Sequence, residues 1–176
     1  MALTELQKRK FKVAFDTQDI DGSGVLTPED FEGYISQLKR IDSKNTSAIS
    51  LYEEMGEDLK SKADIDSSGG VTLDEWYNYI EELINDPARF NKYIIDPAVT
   101  LLKSVGSSGE NYITMDEYKK LSKALNIERS DAETAFNKLD KSGDGRLDIT
   151  ELKEAVREYY FTEDENSSAN WLFGSF

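Results

Sequence analysis

The chain has 176 residues, of which 38% are hydrophobic and 32% charged, enough apolar material for one domain-sized core. Its formal charge is −14, a surface that repels nucleic-acid phosphates and anionic membranes and favours cations. It contains no cysteine and no histidine, which excludes disulfides, thiol chemistry, Cys/His zinc sites and imidazole acid–base catalysis, and leaves oxygen atoms as metal ligands.

The first ten residues lack the apolar stretch of a signal peptide, and Ala2 stands where N-myristoylation requires Gly. No apolar run nears the ~20 residues of a membrane span. A cytoplasmic protein without membrane insertion is expected. Four segments then repeat one pattern: an amphipathic helix, a polar turn, one aliphatic residue, a capping box and a second amphipathic helix. The turns begin at Asp19, Asp64, Gly106 and Asp140.

In the first unit, Thr27 is the predicted N-cap and Pro28 the first helical residue, where its missing N–H costs nothing. The helix that follows carries an apolar stripe of Phe31, Tyr34, Ile35, Leu38 and Ile41. A polar connector, Ser43 to Ser47, leads to the second unit, whose entering helix carries Ile49, Tyr52, Leu59 and Ala63. Its N-cap is Thr72, and its exiting helix carries Trp76, Ile80, Leu83 and Ile84. Asn85-Asp86-Pro87 and Asp96-Pro97 each predict a helix break and restart between two halves. The third unit has its N-cap at Thr114. The fourth places Ala132, Ala135, Phe136 and Leu139 before the turn, an N-cap at Asp148, and Leu152, Ala155, Val156 and Tyr159 after it. These stripes are expected to form the core.

A twelve-residue EF-hand loop presents oxygens at positions 1, 3, 5, 7, 9 and 12, with Gly at the sharp turn of position 6 and the backbone carbonyl serving at position 7. The first loop supplies Asp19, Asp21, Ser23, the Val25 carbonyl and Asp30, with Gly24 at the turn. The second supplies Asp64, Asp66, Ser68, the Gly70 carbonyl and Glu75, with Gly69 at the turn. The fourth supplies Asp140, Ser142, Asp144, the Arg146 carbonyl and Glu151, with Gly145 at the turn. Leu26, Val71 and Leu147 fill position 8, where paired loops meet in a short β-bridge. The ordinary alternative for one such segment is a solvated surface turn. Three of them, each capped in frame between amphipathic helices, point to hard-cation sites. The third turn departs from the pattern. It has Gly106 at position 1, Ser108 at position 3 and Asn111 at position 6, and keeps only Glu110 and Glu117 as acidic candidates. It reads as a structural partner that holds no ion.

With these loops, the chain resembles the sarcoplasmic calcium-binding protein family, which includes calexcitin and the bacterial calerythrin. The wide early loop spacing, Asp30 at position 12, and the stretch Tyr159-Tyr160-Phe161 followed by Trp171-Leu172-Phe173-Gly174 carry the resemblance, which covers nearly the whole chain. It implies an all-α fold of two EF-hand pairs packed into one compact globule. Residues 1–85 would form the first pair, 86–160 the second, and 161–176 a tail folded back onto the globule. A third unit without an ion beside a working fourth departs from several family members.

The expected function is Ca²⁺ binding as an intracellular buffer, with three Ca²⁺ per chain and Mg²⁺ competing at the first loop. Asp30 is one methylene shorter than the usual Glu and should reach an ion with one oxygen, or draw its helix inward. A monomer is expected. The alternative is a sensor that switches a partner protein, although the chain has only three methionines to build an adaptable groove. A luciferin-type carrier is a third reading. No nucleophile–base constellation suggests an enzyme.

Overall fold

The computed structural model of the protein describes residues 2–41, 46–64, 66–106, 111–125, 127 and 129–175. Helix α1 (Glu5–Gln18) starts in a capping box in which Thr4 and Gln7 exchange hydrogen bonds of 3.2 and 2.9 Å. Strand β1 (Val25–Leu26) leads into α2 (Pro28–Ile41), and α3 (Thr46–Ala63) leads through β2 (Val71–Thr72) into α4 (Leu73–Asn85). The second half comprises α5 (Pro87–Phe90), a π-helical turn (Asn91–Ile95), α6 (Asp96–Val105), β3 (Tyr112–Thr114) and α7 (Met115–Ala124). It continues with α8 (Arg129–Leu139), β4 (Arg146–Asp148), α9 (Ile149–Phe161) and a 3₁₀ turn (Ser168–Trp171).

All four exiting helices begin after the predicted N-cap, and in each the residue three positions later returns a carboxylate oxygen to the cap backbone N–H. Each box thus satisfies a donor that the helix geometry leaves without an intrahelical partner. Of the connector predicted at 43–47, residues 43–45 lie outside the described residues, and Thr46 and Ser47 open α3.

The Asn85-Asp86-Pro87 break is present: α4 stops at Asn85, and Asp86 caps α5 by accepting from Ala88 N and Arg89 N. The break expected at Asp96-Pro97 is not. The backbone stays right-handed helical through Ile95 and Asp96, and Asp96 N donates to Asn91 O, five residues back. The wider π turn ends where Pro97 follows without an N–H, so the ladder continues past the proline instead of breaking.

Antiparallel bridges join the loops in pairs. Leu26 opposes Val71, and Ile113 opposes Leu147, each pair completely or almost completely buried. Of the predicted stripes, all but Ile49 among the described side chains join one apolar cluster that runs from Leu3 through Trp76 and Tyr79 to Tyr159, while Leu38 and Ile41 lie outside the described side chains. Helix α1 binds this cluster from both sides. Trp76 Nε1 donates to Phe11 O at 3.0 Å, and Tyr159 Oη donates to Lys10 O at 2.5 Å. At the end of α9 the last carbonyls need donors. Gln7 Nε2 reaches Tyr160 O at 2.9 Å, while Lys10 Nζ reaches Tyr159 O at 2.5 Å and Thr162 O at 3.3 Å. Lys10 is fully buried there, and that burial lowers its ammonium from 10.5 to about 8, against the opposing pull of Glu158. The segment after α9 lies on α8 and α9. Ala169 is fully buried, Phe173 packs 5.3 Å from the Tyr159 ring, and Asp131 accepts from Ser175 N at 2.9 Å. Phe176 lies outside the described residues.

Candidate metal centre

Two bends build each of the complete loops. Position 6 is left-handed in all three, with φ of 82° at Gly24, 92° at Gly69 and 80° at Gly145. Position 4 is left-handed as well: Gly22 and Gly143 have φ of 69° and 71°, and Ser67 has 57°. The second bend was not foreseen from sequence, although a Gly at position 4 of two loops was a usable signal. Glycine adopts this conformation without strain, whereas Ser67 adopts it at a steric cost.

The double bend turns backbone N–H groups inward onto the position 1 carboxylate. Asp19 accepts from Ser23 N at 3.0 Å and Gly24 N at 2.8 Å; Asp64 accepts from Ser68 N at 2.9 Å and Gly69 N at 3.1 Å. Asp140 does the same with Gly143 N at 2.8 Å and Gly145 N at 2.9 Å. Hydrogen bonds from the Ser23 and Ser68 side chains, and then from their backbone N–H groups, hold the Asp21 and Asp66 carboxyls below the usual carboxylate range. At Asp140 burial pushes upward, but the Gly145 and Gly143 N–H groups and the Ser142 hydroxyl outweigh it and the carboxyl is lowered.

In the first loop one carboxylate oxygen from each of Asp19, Asp21 and Asp30 lies within 4.8 Å of the others, and Asp64, Asp66 and Glu75 form the same grouping in the second. Two oxygens bound to one Ca²⁺ at 2.3–2.6 Å can lie up to about 5 Å apart, so both groups fit a single ion. Ser23 Oγ lies 3.0 Å from the Val25 carbonyl oxygen, and Ser68 Oγ 3.2 Å from that of Gly70, which places positions 5 and 7 side by side. The donor set is carboxylate, hydroxyl and carbonyl oxygen throughout, as a hard divalent cation requires.

The fourth loop has the same backbone but not the same convergence. Asp140, Asp144 and Glu151 do not form a group of that closeness. Position 3 is Ser142, whose hydroxyl turns to Asp140 at 3.1 Å. Asp144 Oδ1 accepts from Arg146 N at 2.9 Å, and Glu151 Oε1 accepts from Ser142 N at 2.9 Å. The third loop offers Gly106, which has no side-chain oxygen, at position 1, and Glu117, whose Oε2 accepts from Thr114 N at 2.9 Å. Residues 107–110, including Ser108 and Glu110, lie outside the described residues.

Asp30 is one methylene shorter than Glu75 and more buried. Both residues accept from the cap threonine, at 2.9 Å from its N–H and 2.8 Å from its hydroxyl. Asp30 Oδ1 additionally accepts from Ile20 N at 3.0 Å, and the residue is only 4% exposed. Its shorter side chain is thus held between the cap and the loop backbone.

Paired helix–loop–helix units with acidic twelve-residue loops define an EF-hand protein. An EF-hand domain model matches residues 131–161, which is α8, the fourth loop and α9. Calerythrin of Saccharopolyspora erythraea is 28% identical over 167 residues, covering 90% of this chain and 94% of its own. Sarcoplasmic calcium-binding proteins I, III and IV of Branchiostoma lanceolatum are 26% identical over 184 residues, 98% of each chain. The solved structure of an amphioxus sarcoplasmic calcium-binding protein superposes with a TM-score of 0.73 at 22% identity, over 99% of this chain and 100% of that one. The chain is thus similar to calerythrin and the sarcoplasmic calcium-binding proteins, and its EF-hand units support calcium binding. Among the described residues, no helix is long and apolar enough to cross a membrane.

Proposed function

We propose that this protein is a monomeric intracellular Ca²⁺ buffer, not an enzyme, that holds three ions at the loops beginning with Asp19, Asp64 and Asp140. The ligands are those named from the sequence, the third loop is a structural partner, and the first loop also accepts Mg²⁺. Residues 1–85 and 86–160 act as two EF-hand pairs, and 161–176 is a tail that packs on the globule. The observation that carries the reading is the approach of three carboxylates to within 4.8 Å in each loop of the first pair. The buffer role draws on the way the halves are tied. A sensor must open an apolar groove on binding, whereas α1 is bonded to both α4 and α9, and Met55 and Met115 are partly buried against the core.

Calorimetric titration of the metal-free protein with Ca²⁺, with and without Mg²⁺, tests this reading. Three Ca²⁺ per chain are expected, with no Ca²⁺-driven rise in the fluorescence of an apolar dye. A fourth ion would return the third loop to service, and two would remove the fourth. A Ca²⁺-driven rise in dye binding would favour a sensor with a protein partner.

A further inference from the structure

Residues 162–175 are tied to both helices of the fourth helix–loop–helix unit. On α8, Asp131 accepts from Ser175 N at 2.9 Å and from Ser175 Oγ at 2.7 Å, and Lys138 Nζ stands 5.0 Å from the centre of the Trp171 ring. On α9, Phe173 packs against Tyr159, and Glu158 Oε1 accepts from Ser167 Oγ at 2.7 Å. Asp140 follows the last residue of α8, and Glu151 lies in the first turn of α9. The segment therefore straps together the two helices that carry positions 1 and 12 of the fourth loop.

The other oxygen of Glu158 reaches the loop itself. Lys141, at position 2 between Asp140 and Ser142, pairs with Glu158 Oε2 at 2.7 Å. Lys141 and then Ser167 hold the Glu158 carboxyl below the usual carboxylate range. Ser167 is buried, and its hydroxyl also accepts from Ala169 N at 3.2 Å, which caps the 3₁₀ turn that carries Trp171. One carboxylate thus joins the start of a metal loop to the start of the C-terminal turn. The loops of the first pair carry uncharged Ile20 and Ile65 at position 2. Two effects give the connection a direction. Lys141 puts a positive charge on the residue next to the position 1 carboxylate, where it opposes an arriving divalent cation unless an anion neutralises it. A strap across α8 and α9 also reduces the freedom that the loop ends give up when an ion gathers them.

We propose that the C-terminal segment regulates the fourth metal loop, with Glu158 as the positioning residue: held by Ser167 and turned to Lys141, it lets the docked segment raise the Ca²⁺ affinity of that loop. By linkage, an ion in the loop tightens the docking of the segment in turn. This rests on the reading above that the fourth loop binds Ca²⁺. Calorimetric Ca²⁺ titration of the full chain is the test, with Glu151→Gln identifying the fourth site as the equivalent that it removes. Glu158→Gln leaves Lys141 without its anion and should weaken that equivalent about threefold, the size expected of a partly exposed ion pair. Adding Lys141→Met to Glu158→Gln should restore the affinity, because it removes the unpaired cation; a loss through packing alone would not be restored. Ser167→Ala cuts the hold of the segment on Glu158 without a change of charge and should weaken the same equivalent about twofold. Fluorine NMR of the protein labelled with fluorotryptophan reads the reverse direction: the Trp171 signal should move on adding Ca²⁺ and stay still in Glu151→Gln. Unchanged affinity in Glu158→Gln or Ser167→Ala, no restoration by Lys141→Met, or a Trp171 signal that moves equally in Glu151→Gln overturns the proposal. If Glu151→Gln removes no equivalent, the calcium reading of the fourth loop fails, and this proposal with it.

Discussion

The first two loops and the fourth share one backbone and differ in where their carboxylates stand, at positions 1, 3 and 12 in the first pair and at 1, 5 and 12 in the fourth. Each has left-handed bends at positions 4 and 6 and a position 1 carboxylate gathered onto inward N–H groups. In the first pair, Asp21 and Asp66 at position 3 complete a three-carboxylate group. In the fourth loop position 3 is Ser142, and the remaining carboxylates are engaged by the loop's own N–H groups. The bends alone therefore do not assemble a site. They gather one carboxylate; the loops with a second at position 3 converge, and the fourth loop, with its second at position 5, does not.

The largest effect should come from removing the metal altogether. Three divalent ions bring six positive charges to a chain of formal charge −14. A ligand at 100 times its dissociation constant stabilises the native state by about 2.7 kcal/mol per site. At about 2–4 °C per kcal/mol for a domain of this size, chelation should lower the melting temperature by about 15 °C or more. A thermal melt with and without chelator measures it, and an unchanged midpoint would deny the ions any structural role.

Ser142→Asp tests the position 3 argument directly. A fourth ligand carboxylate, beside Asp140, Asp144 and Glu151, should tighten Ca²⁺ at the fourth loop by about tenfold, since loop affinity follows ligand charge. Calorimetry should show one site strengthened and the rest unmoved. If no site strengthens, the convergence in the first pair has another cause.

A smaller difference separates the first loop from the second. Asp30 is buried and its side chain is one methylene shorter than that of Glu75, so from the same helix position it should offer an ion fewer oxygens. Fewer ligand oxygens favour six-coordinate Mg²⁺ over Ca²⁺, which accepts six to eight. Asp30→Glu should weaken Mg²⁺ competition about threefold or more at one site, read from Ca²⁺ titrations at millimolar Mg²⁺. Equal competition before and after the change would remove side-chain length from the account.

The smallest effect lies at position 4. Ser67 has φ of 57°, where a side chain costs about 1–2 kcal/mol. Replacing it with Gly raises unfolded-chain entropy by about 0.5–1 kcal/mol. Ser67→Gly should therefore stabilise the protein by up to about 1 kcal/mol, and Gly22→Ser should destabilise it by a similar amount, both measured by denaturant titration. The same sign for both would show that the bend is not what limits these loops.

Much of this molecule was legible in its sequence because the signals are local. Thr27, Thr72, Thr114 and Asp148 cap their helices with a carboxylate three residues on, and both partners of each box lie within one helical turn. The position 8 residues Leu26, Val71 and Leu147 are aliphatic because two loops bury them against each other, so the bridge could be read before any contact was known. The Asp96-Pro97 reading went astray because a proline forbids one hydrogen bond and not a helix, and a π turn absorbed the loss.

What only the tertiary structure decided depends on residues far apart in the chain. Gln7 and Lys10 end up on the last carbonyls of α9 because the packing of α1 between α4 and α9 leaves those acceptors without water. Ser67 takes a left-handed bend because the fold of its loop requires one there, whatever residue occupies the position. Tyr118 and Ser122 sit at ordinary helical spacing, and nothing in that spacing says that both would be buried. The sequence settles the caps, the loop chemistry and the apolar stripes, because each is satisfied within a few residues. The fold alone determines which buried polar groups find partners, because that depends on which helices the core brings together.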